Sequence, residues 1–173
     1  VGLMHLRSTE GASDEFKTSK KLAQMCAEQI SMAIANVRMR DQLHDQSVRD
    51  PLTGLFNRRH MNDTLRKFIN FSQSTGKKLS LIAVDVDHFK KFNDNHGHDA
   101  GDMVLRAVGS VLEQACDGED VACRPGGEEF TLIVSGTSQE DVMTKAELLR
   151  QAVEAIVVRY GEKALPRITI SLG

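Results

Sequence analysis

The sequence has 173 residues, of which 40% are hydrophobic and 27% are charged. This content suffices for one compact domain of ordinary size with an appendage, and it excludes a second full domain. The formal net charge of −2 and the pI near 6.3 exclude the basic surface with which proteins bind nucleic acid polymers, and no Lys or Arg run predicts contact with anionic lipid.

Cysteine usage and hydropathy indicate the cellular compartment. Cys26, Cys116 and Cys123 are odd in number and lack metal-ligand spacing, so neither a disulfide framework nor a zinc knuckle is predicted and the cytoplasm is the expected compartment. No window approaches the roughly 18 to 20 apolar residues of a membrane span. The chain begins without Met and stops on a strand-like segment, so we interpret it as a fragment of a longer protein.

Residues 1–49 predict a short segment from the end of an upstream domain, followed by a long helix. Residues 1–13 contain a strand-like segment, Val1–Arg7, and a polar loop, which we interpret as the end of an upstream domain, with a sensory domain as the candidate. Residues 14–49 contain neither Pro nor Gly and predict a long coiled-coil helix for dimerisation. One heptad-like stripe comprises Leu22, Met25, Gln29, Met32, Asn36, Met39, Leu43 and Gln46; a second comprises Ala23, Cys26, Ile30, Ala33 and Val37.

Two registers are therefore open for this helix, and a helix packed on its own domain is the alternative to a coiled coil. Asn36 at a core position favours a dimer in the first register.

The segment 50–173 predicts an α+β domain. Hydrophobic periodicity predicts helix 57–73, strand 79–85, helix 99–116, strands 121–124 and 129–135, helix 139–159 and strand 167–172. With the first helix set aside, the order is βαββαβ, which favours a ferredoxin-like, palm-like sheet with spatial order 4-1-3-2 and packed helices. In that topology the end of the first strand meets the turn between the second and third.

Acidic residues lie at both of these places. Asp85 and Asp87 end a buried strand, and Gly126–Glu129 combines a glycine turn with two acids. Carboxylates that converge from two strands repel each other unless a cation lies between them, and oxygen ligands with substrate phosphates suit Mg²⁺ or Mn²⁺. A solvated hairpin is the alternative for the turn, and a helix cap for the strand end.

Between these acids, residues 89–102 are rich in Lys, Asn, His and Asp and are interpreted as a loop that enters a helix. Lys90 is suited to neutralise phosphate charge, and the helix N-terminus adds amide donors. His96 and His98 leave zinc as a minor alternative.

Four segments resemble the signatures of the GGDEF family of diguanylate cyclases in order and spacing. They are Asp50–Arg59, Asp85–Lys90, Asn93–Asp102 and Gly126–Phe130, the last in the form GGEEF. The resemblance extends from about Val48 to Gly173. It implies that Asp85, the Val86 carbonyl and Glu128 hold Mg²⁺, with Glu129 assisting at a second ion, whereas Asp87 is not implied as a principal ligand.

The resemblance also implies the substrate and the reaction. Two GTP condense into cyclic di-GMP and two pyrophosphates, with Glu128 as proton acceptor and Lys90 stabilising the transferring phosphate. Asn93 and Asp102 are implied to bind the guanine edge, and His98 to line the pocket. Since each domain binds one GTP, a homodimer with facing catalytic domains is implied, controlled through the N-terminal helix. The segment before Asp14 resembles the closing strand of a GAF-like sensory domain.

The sequence departs from the family pattern in three places. Asp117 stands where many members have the Arg of an Arg-x-x-Asp product-inhibition site, although Asp120 is present, so loss of this site is predicted. Pro125 is unusual before the glycine pair. The sequence given ends at Gly173, where the resemblance implies that a further helix, a further strand and a phosphate-contacting Lys follow. The alternatives to an active cyclase are a weak or inactive regulatory module that binds GTP or cyclic di-GMP, and a structural dimerisation and relay module.

Overall fold

The computed structural model describes the backbone of residues 13–161 and 163–173, and the side chains of residues 18–39, 48–161 and 164–173. The predicted strand Val1–Arg7 and nearly all of the 1–13 segment assigned to an upstream domain lie outside these residues. The chain divides into two units, with the boundary between Ser47 and Val48. No helix among the described residues is both long and apolar enough to cross a membrane.

The first unit is built around one helix, α1, which spans Ser13–Val48 and matches the predicted 14–49 closely. Neither Gly nor Pro interrupts it, so each residue can extend the hydrogen-bond ladder. Both predicted stripes expose large apolar side chains, from 49% for Val37 to 66% for Met32. The side chains of Leu43 and Gln46 lie outside the described residues, and both registers stay predictions.

The second unit contains every other helix and strand of the described residues. In chain order they are β1 (Phe56–Asn57), α2 (Arg58–Thr75), β2 (Leu79–Val86), α3 (Phe89–His96), α4 (His98–Gln114), β3 (Val121–Gly126), β4 (Glu129–Ser135), α5 (Gln139–Glu154), β5 (Arg159–Tyr160), β6 (Lys163–Ala164) and β7 (Ile170–Leu172).

The main sheet has the strand order β1-β3-β4-β2-β7. The four strands that were predicted, β2, β3, β4 and β7, have the predicted spatial order. β4 pairs antiparallel with both β2 and β3, and β7 pairs antiparallel with β2. The prediction missed β1, whose two residues add a parallel partner to β3. The mixed sheet with packed helices is therefore the predicted α+β architecture with one additional edge.

The hydrophobic core lies on the face of the sheet that α4 and α5 cover. Alternate residues of β2 are buried while their neighbours are exposed, as expected for a strand with one solvated face. The core comprises, among others, Ile82, Val84, Val86, Val104, Val108, Leu112, Leu132, Leu149 and Val153. Burial of side chains of this size stabilises a fold by about 1.5 to 3 kcal/mol each before entropy is counted.

The largest differences from the prediction lie in three places. Residues 89–96, predicted as loop, form α3, because Phe89 and Phe92 recur at helical spacing and Phe89 is buried. The last long helix ends at Glu154 instead of 159, since the β-branched run Ile156–Val158 follows and the chain turns into the β5–β6 hairpin. Only Ile170–Leu172 of the predicted 167–172 pairs as a strand.

Candidate active site

The site is built where β2 ends beside β4. Asp85 lies directly opposite Glu129 in the antiparallel register, and both side chains are exposed on the face away from the core. The Val86 N–H donates to the Glu128 carbonyl at 3.3 Å. The predicted meeting of residues near Asp85 with residues near Gly127 is confirmed, and it places Asp85 and Glu129 side by side at the adjoining ends of β2 and β4, with Glu128 next in the chain.

The turn that carries Glu128 depends on its glycines. Gly126 pairs with Glu129, and Gly127 adopts a left-handed φ of 57°, a conformation that costs glycine little. The ladder is irregular between Cys123 and Gly126, so Pro125 lies in a bulge where its missing N–H breaks no regular pairing. The hairpin therefore forms despite Pro125.

Asp87 has a different environment from Asp85. Its two carboxylate oxygens accept hydrogen bonds from Ser171 Oγ and Thr169 Oγ1, each at 2.6 Å. These bonds, with the Ser171 bond contributing most, hold the pKa of Asp87 below its ordinary value. Asp87 thus ties the start of α3 to the last strand.

Lys90 and Asn93 lie on α3, immediately beyond the acids. Lys90 is exposed, whereas Asn93 is half-buried. Among the side chains that the structure describes, Asn93 Oδ1 is a buried polar atom without a hydrogen-bond partner. Such an atom is costly to bury unless a donor reaches it. Asn93 therefore keeps one unsatisfied acceptor, Oδ1, in this conformation.

The first turn of α4 supplies the remaining predicted residues. His98 begins the helix and is exposed, and Asp102 is half-buried one turn later. Gly101 lies between them, and a Cβ at this position would collide with Asn93 Oδ1. Gly101 therefore allows α3 and α4 to approach. No role was predicted for this glycine, because it depends on a contact between two helices.

The acids fit a divalent cation that is bound by protein carboxylates and by the phosphates of a nucleotide together. Among the described side chains, no group of three or more His, Cys, Asp and Glu residues comes together closely enough to hold a metal ion. Mg²⁺ characteristically binds one or two carboxylates together with substrate phosphates, and the opposed pair Asp85 and Glu129 offers that. Nothing here favours zinc: His96 lies beside the Phe92 ring, with the two centroids 4.8 Å apart.

A second charged cluster lies between α4 and α5. Lys145 Nζ contacts Asp120 at 2.5 Å and Asp117 at 3.3 Å, and the Asp120 side chain is 7% exposed. Burial alone would lower the pKa of Lys145, but these two carboxylates raise it. The cluster lines a cavity of about 790 Å³. Asp117, at the position where the resemblance implies an arginine, is thus paired within the chain.

Arg124 makes two contacts at the site that were missed, and only the contact with Asp50 joins residues that are far apart in the sequence. Arg124 binds Asp50 and the Gly127 carbonyl, and 74 positions separate Arg124 from Asp50. Both residues lay within or beside segments that carry the family resemblance, which is the signal that a search for long-range pairs could have used.

Comparison with known proteins identifies relatives of this domain. Residues 47–173 match the family model described as "Diguanylate cyclase, GGDEF domain". The response regulator PleD of Caulobacter vibrioides is 38% identical over 77% of this chain and 30% of its own length. Diguanylate cyclase A of Treponema denticola is 32% identical, over 100% of this chain and 46% of its own length. The chain thus spans less than half of either relative.

Solved structures resemble the chain as well. The coiled coil and GGDEF domain of DgcB from Caulobacter crescentus, solved in complex with c-di-GMP, superposes with a TM-score of 0.82 at 30% identity and covers 88% of this chain and 81% of that one. The diguanylate cyclase SiaD from Pseudomonas aeruginosa, solved with its activator SiaC, gives 0.72 at 36% identity and covers 92% and 64%.

Proposed function

The chain belongs to the GGDEF family of diguanylate cyclases, and from this premise we propose that the whole protein condenses two GTP into cyclic di-GMP and two pyrophosphates. The single observation that carries the proposal is the register of Asp85 opposite Glu129, with the Glu128 carbonyl bonded to the Val86 N–H. The adjoining ends of β2 and β4 offer carboxylates to a metal–nucleotide complex, as phosphoryl transfer requires.

The proposed metal ligands are Asp85, the Val86 carbonyl and Glu128, with Glu129 assisting at a second ion. Mg²⁺ is the proposed ion and Mn²⁺ a substitute, because all the donors are oxygens. When bound, the ion lowers the pKa of a coordinated hydroxyl and offsets negative charge on phosphate.

The proposed nucleotide contacts come from α3 and α4. Asn93 and Asp102 bind the guanine edge, since an amide and a carboxylate complement its donors and acceptor. His98 lines the pocket. Lys90, exposed on the first turn of α3, stabilises the charge that develops on the transferring phosphate.

The proposed reaction has two equivalent steps. The 3′-hydroxyl of one GTP attacks the α-phosphate of the other, Glu128 accepts the hydroxyl proton, and pyrophosphate leaves. The same attack in the opposite direction closes the ring. Because one domain holds one GTP, two copies must face each other, and proximity then supplies much of the rate enhancement.

We assign dimerisation and its control to α1. Large apolar side chains such as Leu22 and Met32 are 62% and 66% exposed along it, as expected of a helix whose partner is a second copy. A change in register or crossing angle would alter how two catalytic domains meet. An upstream sensory domain supplies the input in this proposal, and three free cysteines favour the cytoplasm.

Turnover and binding assays separate this proposal from its alternatives. Titration of the full-length protein with GTP, ATP and Mg²⁺ should give Mg²⁺-dependent consumption of GTP and not of ATP, and Asn93→Ala should lower that preference. GTP binding without turnover under activating conditions would indicate a regulatory module. Dimers that bind no nucleotide would indicate a relay module.

A further inference from the structure

The bulge in β3 directs Arg124 to the turn that carries Glu128. Its Nε and Nη2 donate to the Gly127 carbonyl at 3.1 and 2.7 Å, and its Nη1 donates to Asp50 Oδ1 at 2.9 Å. Only 10% of the Arg124 side chain is exposed. One guanidinium thus uses three donors to join two loops, a geometry that the planar fork of arginine allows and lysine cannot reproduce.

The other end of this connection is itself fixed. Asp50 Oδ1 also accepts the N–H and hydroxyl of Thr53, at 2.9 and 2.6 Å, and the Asp50 N–H donates to the Leu55 carbonyl at 2.7 Å. Burial alone would raise the pKa of Asp50, but the bonds from Thr53 and Arg124 hold it below its ordinary value. Asp50 is therefore a charged anchor for Arg124 at neutral pH.

The turn is consequently held on two sides. Arg124 binds the carbonyl of Gly127, and the Val86 N–H binds the carbonyl of Glu128. The two peptide planes that flank the Glu128 Cα are therefore both held, which restricts φ and ψ of Glu128 and so the direction in which its side chain leaves the backbone. Gly127, at a left-handed φ, has no side chain that would restrict the turn instead.

We propose that Arg124, anchored by Asp50, is a positioning residue that holds the Gly127–Glu128 peptide in the orientation required for catalysis. The catalytic consequence of this inference rests on the proposed cyclase activity. The positioning itself rests on contacts between the described residues. It also gives the loop Asp50–Leu55 a role: a displacement of that loop is transmitted by one side chain to the residue that accepts the proton.

The test compares Arg124→Lys, Asp50→Asn and their double variant in the full-length protein. Arg150→Lys is the matched control, because Arg150 makes a comparable ion-pair network on the exposed side of α5. We expect Arg124→Lys to lower kcat for cyclic di-GMP formation by about 10-fold to 100-fold with KM for GTP changed less than about threefold. The double variant should be no worse than Arg124→Lys, since both substitutions break one connection.

Amide hydrogen exchange provides a readout independent of turnover. The amide exchange rate of residues 126–128, measured relative to that of α4, should be higher in Arg124→Lys than in the wild type. In Arg150→Lys this rate should equal that of the wild type. If the wild type makes no product, the proposed function fails and this exchange difference alone decides the positioning role. A kcat within about twofold of the wild type, or exchange equal to that of the control, would overturn the inference.

Discussion

Asp85 and Glu129 lie directly opposite each other on β2 and β4, with both carboxylates exposed on the same face. Like charges in this arrangement destabilise a sheet by about 0.2 to 1 kcal/mol. The protein therefore carries a local stability cost at its site, as expected where function and not folding determines the residue.

Removing one of these charges should separate stability from activity. Glu129→Gln should raise the free energy of unfolding in EDTA by about 0.5 kcal/mol while lowering cyclase turnover. Chemical denaturation and a turnover assay measure the two effects. Glu119→Gln, on an exposed loop, is the control; equal stabilisation by both variants would mean that overall charge, and not the opposed pair, is responsible.

Asp87 should make stability depend on pH in acid. Its pKa is lowered from 3.8 by the bonds from Ser171 and Thr169, so the ionised form is the one that the fold stabilises. The contribution is complete above pH 3.8 and is lost as the pH falls through the lower folded value. Unfolding free energies of wild type and Asp87→Asn should therefore differ at pH 7, by about 1 kcal/mol, and converge in strong acid. A difference that persists there would contradict this assignment.

The product should not inhibit through the Asp117–Asp120 region. Asp117 provides no guanidinium for a phosphate, and Lys145 is already paired with both acids. We expect cyclic di-GMP to change the initial rate by less than about twofold, since bidentate phosphate recognition depends on arginine. The initial rate with and without cyclic di-GMP tests the inhibition, and calorimetry with wild type and Asp120→Ala tests binding at this region. Tight binding that disappears in the variant would refute the prediction.

Insertions into α1 should test control by the helix. One residue inserted after Asn36 rotates the following segment by about 100°, whereas seven residues preserve the heptad phase. We expect the single insertion to change cyclase activity by about 10-fold or more, because the facing domains lose their alignment. The seven-residue insertion is the control and should retain activity near that of the wild type. Unchanged activity after the single insertion would argue strongly against control through helix phase.

Local pattern predicted much of this fold, and long-range contacts account for most of what it missed. Strands β2 and β4 were predicted within one residue because an apolar run with turn signals is a strong strand signature. The polar composition of residues 89–96 concealed α3, whose two phenylalanines are its main anchor. Hydrophobic periodicity does not reveal the contact between Arg124 and Asp50, or that between Asp87 and Ser171 across 84 positions. The topology of the sheet alone brings those residues together.

The same distinction between local pattern and long-range contacts applies to the candidate site. The strand order implied that Asp85 and the glycine turn would meet, and the register confirms it. The roles of Lys90, Asn93, His98, Asp102 and Glu128 stay predictions, since they concern a nucleotide. Gly101 could not be assigned in advance, because its importance depends on where Asn93 Oδ1 lies.

The most direct test of the central claim is mass-spectrometric detection of cyclic di-GMP formed from GTP and Mg²⁺ by the full-length protein, with Glu128→Gln as control. This substitution removes the proposed proton acceptor and metal ligand but keeps the size of the side chain and the backbone bond to Val86. The wild type should form product, and the variant should lose about 100-fold or more of this activity. Absence of product from confirmed wild-type dimers under activating conditions, or undiminished product from Glu128→Gln, would contradict it.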